Sequence, residues 1–104
     1  MLSEIKLDME DIKRFCQKWK IQEFALFGSV LREDFKPTSD IDVLVKFEEN
    51  HGWSLFDHMH MQDELTLLFQ RPVDLVSKRA VLDSVNKFRK REIIGSAKVI
   101  YAAA

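Results

Sequence analysis

The chain has 104 residues, of which 46% are hydrophobic and 32% are charged, so its composition is that of one soluble globular domain and it lacks room for two. Sixteen basic residues against seventeen acidic ones give a formal net charge of −1, which argues against a general nucleic-acid binder and against acidic disorder. The single cysteine excludes an intrachain disulfide, and no apolar run approaches a membrane span of roughly twenty residues. We expect one cytoplasmic domain over residues 1–104 without a signal peptide.

Apolar periodicity, capping residues and turn residues predict eight elements in chain order. Met9 to Trp19 show the three-and-four spacing of an amphipathic helix, which places Cys16 in the core. Ser54 and Asp57 have the form of a capping box. The predicted elements are a helix capped by Asp8, a strand over 21–27, a short helix from 29 to about 34, a strand over 40–47, a helix from 54 to near 70, a strand over 72–76, a helix over 81–94 that stops at Gly95, and a strand over 98–101.

The alternation of helices and strands predicts an α/β layer structure, in which helices pack on one sheet. In the helix that follows Ser54, the large apolar side chains are expected to be core or packing residues, among them Phe56, Met59, Met61 and Phe69. His58 and His60 are two residues apart on that helix, so they point away from each other and do not form the usual metal-binding pair.

Acidic residues in two of the predicted strands are candidates for metal binding. Asp40 and Asp42 are two residues apart on one strand, so their side chains leave the same face. Mg²⁺ prefers such carboxylates together with substrate phosphates. Asp74 lies in a third strand whose other residues are apolar, and a buried strand seldom carries an acid without a reason. A strand end or a helix cap is the commoner role of a bare Asp-x-Asp pair, so these acids need a second signal.

The second signal is Gly28-Ser29, which ends a strand and opens a short predicted helix. Glycine allows close backbone approach, and N–H groups at a helix N-terminus together with a serine hydroxyl suit an anion. The ordinary P-loop pattern is absent. Ten residues separate Ser29 from Asp40, so both pieces can belong to one phosphate and metal site.

These residues resemble the signature of the nucleotidyltransferase superfamily, and specifically its minimal nucleotidyltransferase branch. The similar runs are FGSVLR at 27–32, TSDIDVLV at 38–45 and RPVDLV at 71–76. Glu33 and Gln70 depart from that pattern, because the branch often has glycine at both positions, and they are expected to alter turn geometry. The resemblance implies a single mixed β-sheet with packed helices, which is α+β in strict classification.

The same resemblance assigns roles to individual residues. It implies that Asp40, Asp42 and Asp74 are the catalytic acids and the ligands of Mg²⁺. Gly28 and Ser29 then hold the triphosphate of ATP. Arg32 matches a commonly basic position that adds charge there, although an arginine so placed also suits a surface salt bridge.

Minimal nucleotidyltransferases of this kind resemble the antitoxin partners of HEPN-domain toxins, which implies transfer of AMP from ATP to a tyrosine of the toxin. Two alternatives stay open at this stage. One is a binding module that neutralises its partner by contact without catalysis, and the other is nucleotidyl transfer to RNA or to a small molecule. Oligomerisation is possible in each case.

The near-neutral net charge conceals two unlike parts. Residues 1–77 hold nine basic and fifteen acidic side chains, whereas residues 78–104 hold seven basic and two acidic ones. The basic segment from Lys78 to Arg91 is therefore a candidate surface for phosphate, RNA or an acidic partner, with a solvated helix face as the simpler interpretation.

Overall fold

The computed structural model describes residues 8–28, 40–50 and 52–103. The strands were predicted to within two residues at either end, and the predicted helix from 29 to about 34 lies outside the described residues. The elements are α1 (Met9–Lys18), β1 (Ile21–Phe27), β2 (Ile41–Phe47), α2 (Leu55–Phe69), β3 (Val73–Ser77), α3 (Lys78–Leu82), α4 (Lys87–Ser96) and β4 (Lys98–Ala102).

One four-stranded mixed sheet organises these elements, in the order β3-β2-β1-β4. β1 is antiparallel to both β2 and β4, whereas β2 and β3 are parallel. Parallel neighbours need a long crossover, and α2 provides it between these two strands. The mixed sheet with packed helices confirms the predicted fold class. The expectation that residues 1–104 form one domain stays a prediction.

Local capping fixes the helix starts that the sequence predicted. Asp8 accepts a hydrogen bond from the Glu10 N–H at the start of α1. At the start of α2, the Ser54 hydroxyl accepts from the Asp57 N–H while the Asp57 carboxylate accepts from the Ser54 N–H. α2 ends at Gln70, whose left-handed φ of 57° closes the helix in the position that the related family often fills with glycine.

The prediction of one long helix over 81–94 was wrong. The chain forms the short helix α3, turns, and starts α4 at Asn86, whose side chain accepts a hydrogen bond from the Arg89 N–H. Asparagine is among the strongest N-cap residues, so the break has a local cause. α4 then continues through Gly95 to Ser96, because a glycine inside a helix is a modest cost and not a stop.

The sheet has two unlike faces, because alternate residues of each strand point to opposite sides. The first face is buried beneath α1 and α2. The second face carries a smaller cluster covered by α3 and α4, formed by Ala25, Phe27, Leu44, Val81 and Ile93. The buried residues of the first face are Ile12, Phe15, Cys16, Trp19, Ile21, Phe24, Leu26, Ile41, Val43, Val45, Met61, Leu65, Phe69, Val73 and Leu75.

Not every apolar residue of α2 lies in this core. Met61 and Phe69 are buried as expected, but Phe56 and Met59 are exposed, because only one stripe of the helix faces the sheet. Cys16 is a core residue, and burial raises the pKa of its thiol to about 12. No helix within the described residues is long and apolar enough to cross a membrane.

The outer edge of β3 is covered by two side chains of α2. Gln62 accepts a hydrogen bond from the Leu75 N–H through Oε1 at 3.1 Å, and His58 Nε2 lies 2.9 Å from the Leu75 carbonyl oxygen. An exposed strand edge invites pairing with another chain. The two side chains therefore occupy main-chain groups of Leu75 that would otherwise be open at this edge.

Candidate functional site

Asp42 and Asp74 lie side by side on neighbouring strands. β2 and β3 are parallel, and their register pairs these two residues directly. Ile41 and Val43 on β2, like Val73 on β3, are buried beneath α1 and α2. Alternation therefore forces both acids onto the second face of the sheet. Two carboxylates are held next to each other there, where their repulsion favours binding of a cation.

Asp40 stands just before β2 and is exposed. The Ile41 N–H donates a 2.9 Å hydrogen bond to the Pro72 carbonyl oxygen, which ties the start of β2 to the start of β3. Ile41, between Asp40 and Asp42, is completely buried and points into the core, as the sequence predicted. All three acids thus lie at the same end of the two parallel strands.

Gly28 packs directly against the carboxylate of Asp42. Its φ is +74°, a region that side-chain-bearing residues rarely adopt. A Cβ placed on this glycine would overlap Asp42 Oδ2. Two independent constraints, backbone conformation and space, therefore require glycine here, and the turn after β1 is brought against the acid pair.

The other two predicted nucleotide-binding residues, Ser29 and Arg32, lie outside the described residues. The structure therefore places four of the six predicted site residues in one region, namely Gly28, Asp40, Asp42 and Asp74.

One premise of the sequence reasoning was wrong. Asp74 was expected to be unusual because it lies in a buried strand, yet the residue is exposed. β3 is the edge strand, and its buried residues Val73 and Leu75 face the first core while Asp74 faces the other side. The carboxylate is accessible to a ligand for that reason.

The carboxylates of Asp42 and Asp74 suit a hard divalent ion that takes its remaining ligands from elsewhere. Within residues 8–28, 40–50 and 52–103, no three His, Cys, Asp or Glu side chains converge as a ready-made metal cluster. Mg²⁺ is commonly bound by one or two carboxylates together with water and substrate phosphates. Asp42 and Asp74 are adjacent and offer only carboxylate oxygens, so the pair fits this way of binding Mg²⁺.

Further along the same face of β3, a cavity brings in residues of α4 that the sequence did not connect with the acids. Val76 is two residues after Asp74 on the same face, and it borders a cavity of about 200 Å³ together with Arg89 and Lys90 of α4. Sequence periodicity predicted a helix in this region, but only the packing of α4 brings its basic residues beside β3.

The chain is similar in sequence to known proteins. Residues 9–100 match the model of the nucleotidyltransferase domain family. The protein adenylyltransferase MntA of Thermococcus cleftensis is 33% identical over 82 residues, which cover 79% of this chain and 81% of that relative.

Two solved complexes share the fold. A toxin–antitoxin structure with AMP-PNP contains a chain that matches with a TM-score of 0.71 and 21% identity, over 93% of this chain and 75% of that one. The complex of tri-AMPylated Shewanella oneidensis HEPN toxin with MNT antitoxin contains a chain with a TM-score of 0.62 and 21% identity, over 90% of this chain and 69% of that one.

Proposed function

The chain belongs to the nucleotidyltransferase domain family and is an enzyme of that class, and we propose that it transfers AMP from ATP to a tyrosine hydroxyl of a HEPN-domain toxin, as its antitoxin. The observation that carries the proposal is the register pair of Asp42 and Asp74, with Gly28 packed against Asp42. Related chains supply the rest of the support, because one relative is named a protein adenylyltransferase and a chain of like fold occurs in a complex with an AMPylated HEPN toxin.

The acids have distinct tasks in this proposal. Asp40 and Asp42 would hold Mg²⁺, and Asp74 would either complete a second metal position or accept the proton of the attacking hydroxyl. When bound, Mg²⁺ neutralises charge on the phosphate oxygens. Asp74 suits the proton-accepting role because it is exposed beside Asp42 and faces the same side of the sheet.

The reaction itself is a displacement at the α-phosphorus of ATP. The acceptor oxygen forms a bond to that phosphorus, the bond to the bridging oxygen breaks, and pyrophosphate leaves. The acceptor proton passes to a carboxylate of the site. Gly28 brings the backbone close to the acids, and Ser29 and Arg32 of the adjoining segment hold the β- and γ-phosphates. We place the reaction in the cytoplasm, where ATP is available.

The test is transfer of label to the partner. The chain is incubated with Mg²⁺ and with a candidate HEPN-domain partner protein, using ATP labelled either at the α- or at the γ-phosphate. Label from the α-position should appear on the partner, label from the γ-position should not, and chelation of Mg²⁺ should abolish transfer. Intact-mass measurement then counts the added AMP groups, and replacement of the labelled tyrosine by phenylalanine should remove them.

Variants of the acids complete the test. Asp42→Asn and Asp74→Asn should lower transfer about 10³-fold, since metal and proton-transfer contributions amount to several kcal/mol. The folded state should stay intact, because removing one charge relieves repulsion between the pair. Asp63→Asn, at an exposed acid of α2, is the matched control and should retain full activity.

Two outcomes would contradict the proposal. A partner that the wild-type chain leaves unlabelled would rule out catalysis on that protein. An Asp42→Asn variant that neutralises the toxin as well as the wild type does would show that neutralisation depends on contact.

A further inference from the structure

α3, the turn after it and the start of α4 expose large apolar side chains at one corner of the molecule. Leu82 is 45% exposed, Val85 is 98% exposed and Phe88 is 80% exposed. The three residues lie within seven positions of the chain that span the end of α3, the turn and the start of α4, a region here named the α3–α4 surface (residues 79–91). Contiguous exposed apolar side chains on a folded domain commonly mark a contact with another protein.

The same surface is strongly basic. It carries Arg79 and four basic residues of α4, and within the described residues none of these five forms an ion pair, whereas neighbouring Lys78 lies 3.4 Å from Glu23. Asp83 is the one acid within residues 79–91, so five basic side chains leave a surplus of four positive charges and a local positive potential, even though the whole chain is nearly neutral. The four residues of α4 are Lys87, Arg89, Lys90 and Arg91.

Packing places this surface on the same side of the sheet as the acid pair. Val81 of α3 and Ile93 of α4 are buried against Leu44, which is two residues after Asp42 on the same face of the sheet. The cavity of about 200 Å³ between Val76 and the start of α4 also includes Arg89 and Lys90. A molecule bound to the α3–α4 surface would therefore lie on the same side of the sheet as Asp42 and Asp74.

We propose that the α3–α4 surface docks the acceptor protein through an acidic segment that also carries apolar side chains. The inference rests on the proposed function, because it names where the acceptor of that reaction binds. Acidic groups would pair with the unbalanced basic residues, and apolar ones would cover Leu82, Val85 and Phe88. A nucleic-acid backbone would satisfy the charges but leave Leu82 and Val85 against water, so the mixed character favours a protein.

Paired variants separate the two components of the surface. Val85→Asp/Phe88→Asp removes the apolar contact, and Lys87→Glu/Arg91→Glu reverses two charges. All four side chains are exposed, so the fold should tolerate the changes. The matched controls are Leu67→Asp, at a 79% exposed leucine of α2, and Lys13→Glu, at an exposed lysine of α1.

The probe is the HEPN-domain partner protein of the transfer assay, and three quantities are measured for each variant. They are the Kd for that protein by calorimetry, the KM and kcat for AMP transfer to it, and the Kd for a fluorescent ATP analogue. Each surface variant should raise Kd and KM for the partner about tenfold or more, the size expected for loss of a central interface contact. The values of kcat and of the ATP analogue Kd should stay within about twofold of wild type.

Charge reversal should in addition reduce the salt dependence of partner binding, since exposed pairs are screened by salt. A merely structural defect would not produce that change. If the wild type binds the partner without transferring AMP and the surface variants lose binding, the docking inference stands and the proposed function fails.

Three results would overturn the inference. The first is transfer and partner binding unchanged in both surface variants. The second is a wild-type chain that does not bind the partner. In the third, the wild type binds a fluorescent single-stranded oligouridylate tightly, and the surface variants lose this binding but still bind the partner. The surface would then bind RNA.

Discussion

Replacing Gly28 by alanine tests whether the contact between this glycine and Asp42 positions the acid. The residue has φ +74°, and a Cβ there would overlap Asp42 Oδ2. Gly52 provides a matched control, because its φ is +75° and an added Cβ would meet no atom of the described residues within 4 Å. Both substitutions force alanine into the left-handed region, but only Gly28→Ala disturbs the carboxylate.

The two effects differ in size and in what they change. The left-handed conformation costs about 1–2 kcal/mol for a residue with a side chain, so both variants should lose that much stability. The corresponding fall in Tm is roughly 4–8 °C for each kcal/mol in a domain of this size. Restoring van der Waals distance at Gly28 requires Asp42 to move by about 1 Å, and a displacement of that size at a reacting centre costs on the order of 10²-fold in rate.

The assay compares AMP transfer to the partner with thermal unfolding for the wild type and both variants. We expect similar losses of Tm, with transfer lowered about 10²-fold in Gly28→Ala and nearly unchanged in Gly52→Ala. Measurements well below both transition temperatures ensure that each variant is folded. Equal transfer by the two variants would refute the reasoning, because the contact with Asp42 would then have no catalytic consequence.

Three further predictions concern the fold. Leu65→Ala, at a fully buried leucine of α2, should lower the free energy of unfolding by about 2–5 kcal/mol. Leu67→Ala, at an exposed leucine of the same helix, should change it by less than about 0.5 kcal/mol. Denaturant titration measures both values. Gln62→Ala should cost about 1 kcal/mol because the Leu75 N–H loses its acceptor, and an unchanged unfolding midpoint would contradict that contact. Cys16 should resist thiol reagents in the native state. Because folding raises the pKa of its thiol from 9.0 to about 12, the unfolded chain loses this proton first, and the free energy of unfolding should fall as the pH rises from 9 to 12. Cys16→Ala should make that fall smaller.

Local patterns were sufficient to predict most of the elements and the candidate acids. Spacing and caps predicted α1 and α2, whose starts at Asp8 and Ser54 are fixed by hydrogen bonds to residues two and three positions away. The prediction failed at residues 81–94, where apolar spacing continued across two helices. The overlooked signal was local, because Asn86 caps the start of α4; the packing of Val81 and Ile93 into one buried cluster depends on the tertiary structure.

The sequence by itself predicted two acids two residues apart at the start of a strand, and it predicted that Gly28 ends a strand, because alternation and backbone freedom are properties of neighbouring residues. Only the tertiary structure decided that Asp42 lies beside Asp74, that Asp74 is exposed, and that Arg89 and Lys90 of α4 line a cavity with Val76 of β3. These features depend on the parallel register of β2 and β3 and on the covering of one sheet face by α3 and α4. Such contacts join residues far apart in the chain, and the packing of the two cores fixes them.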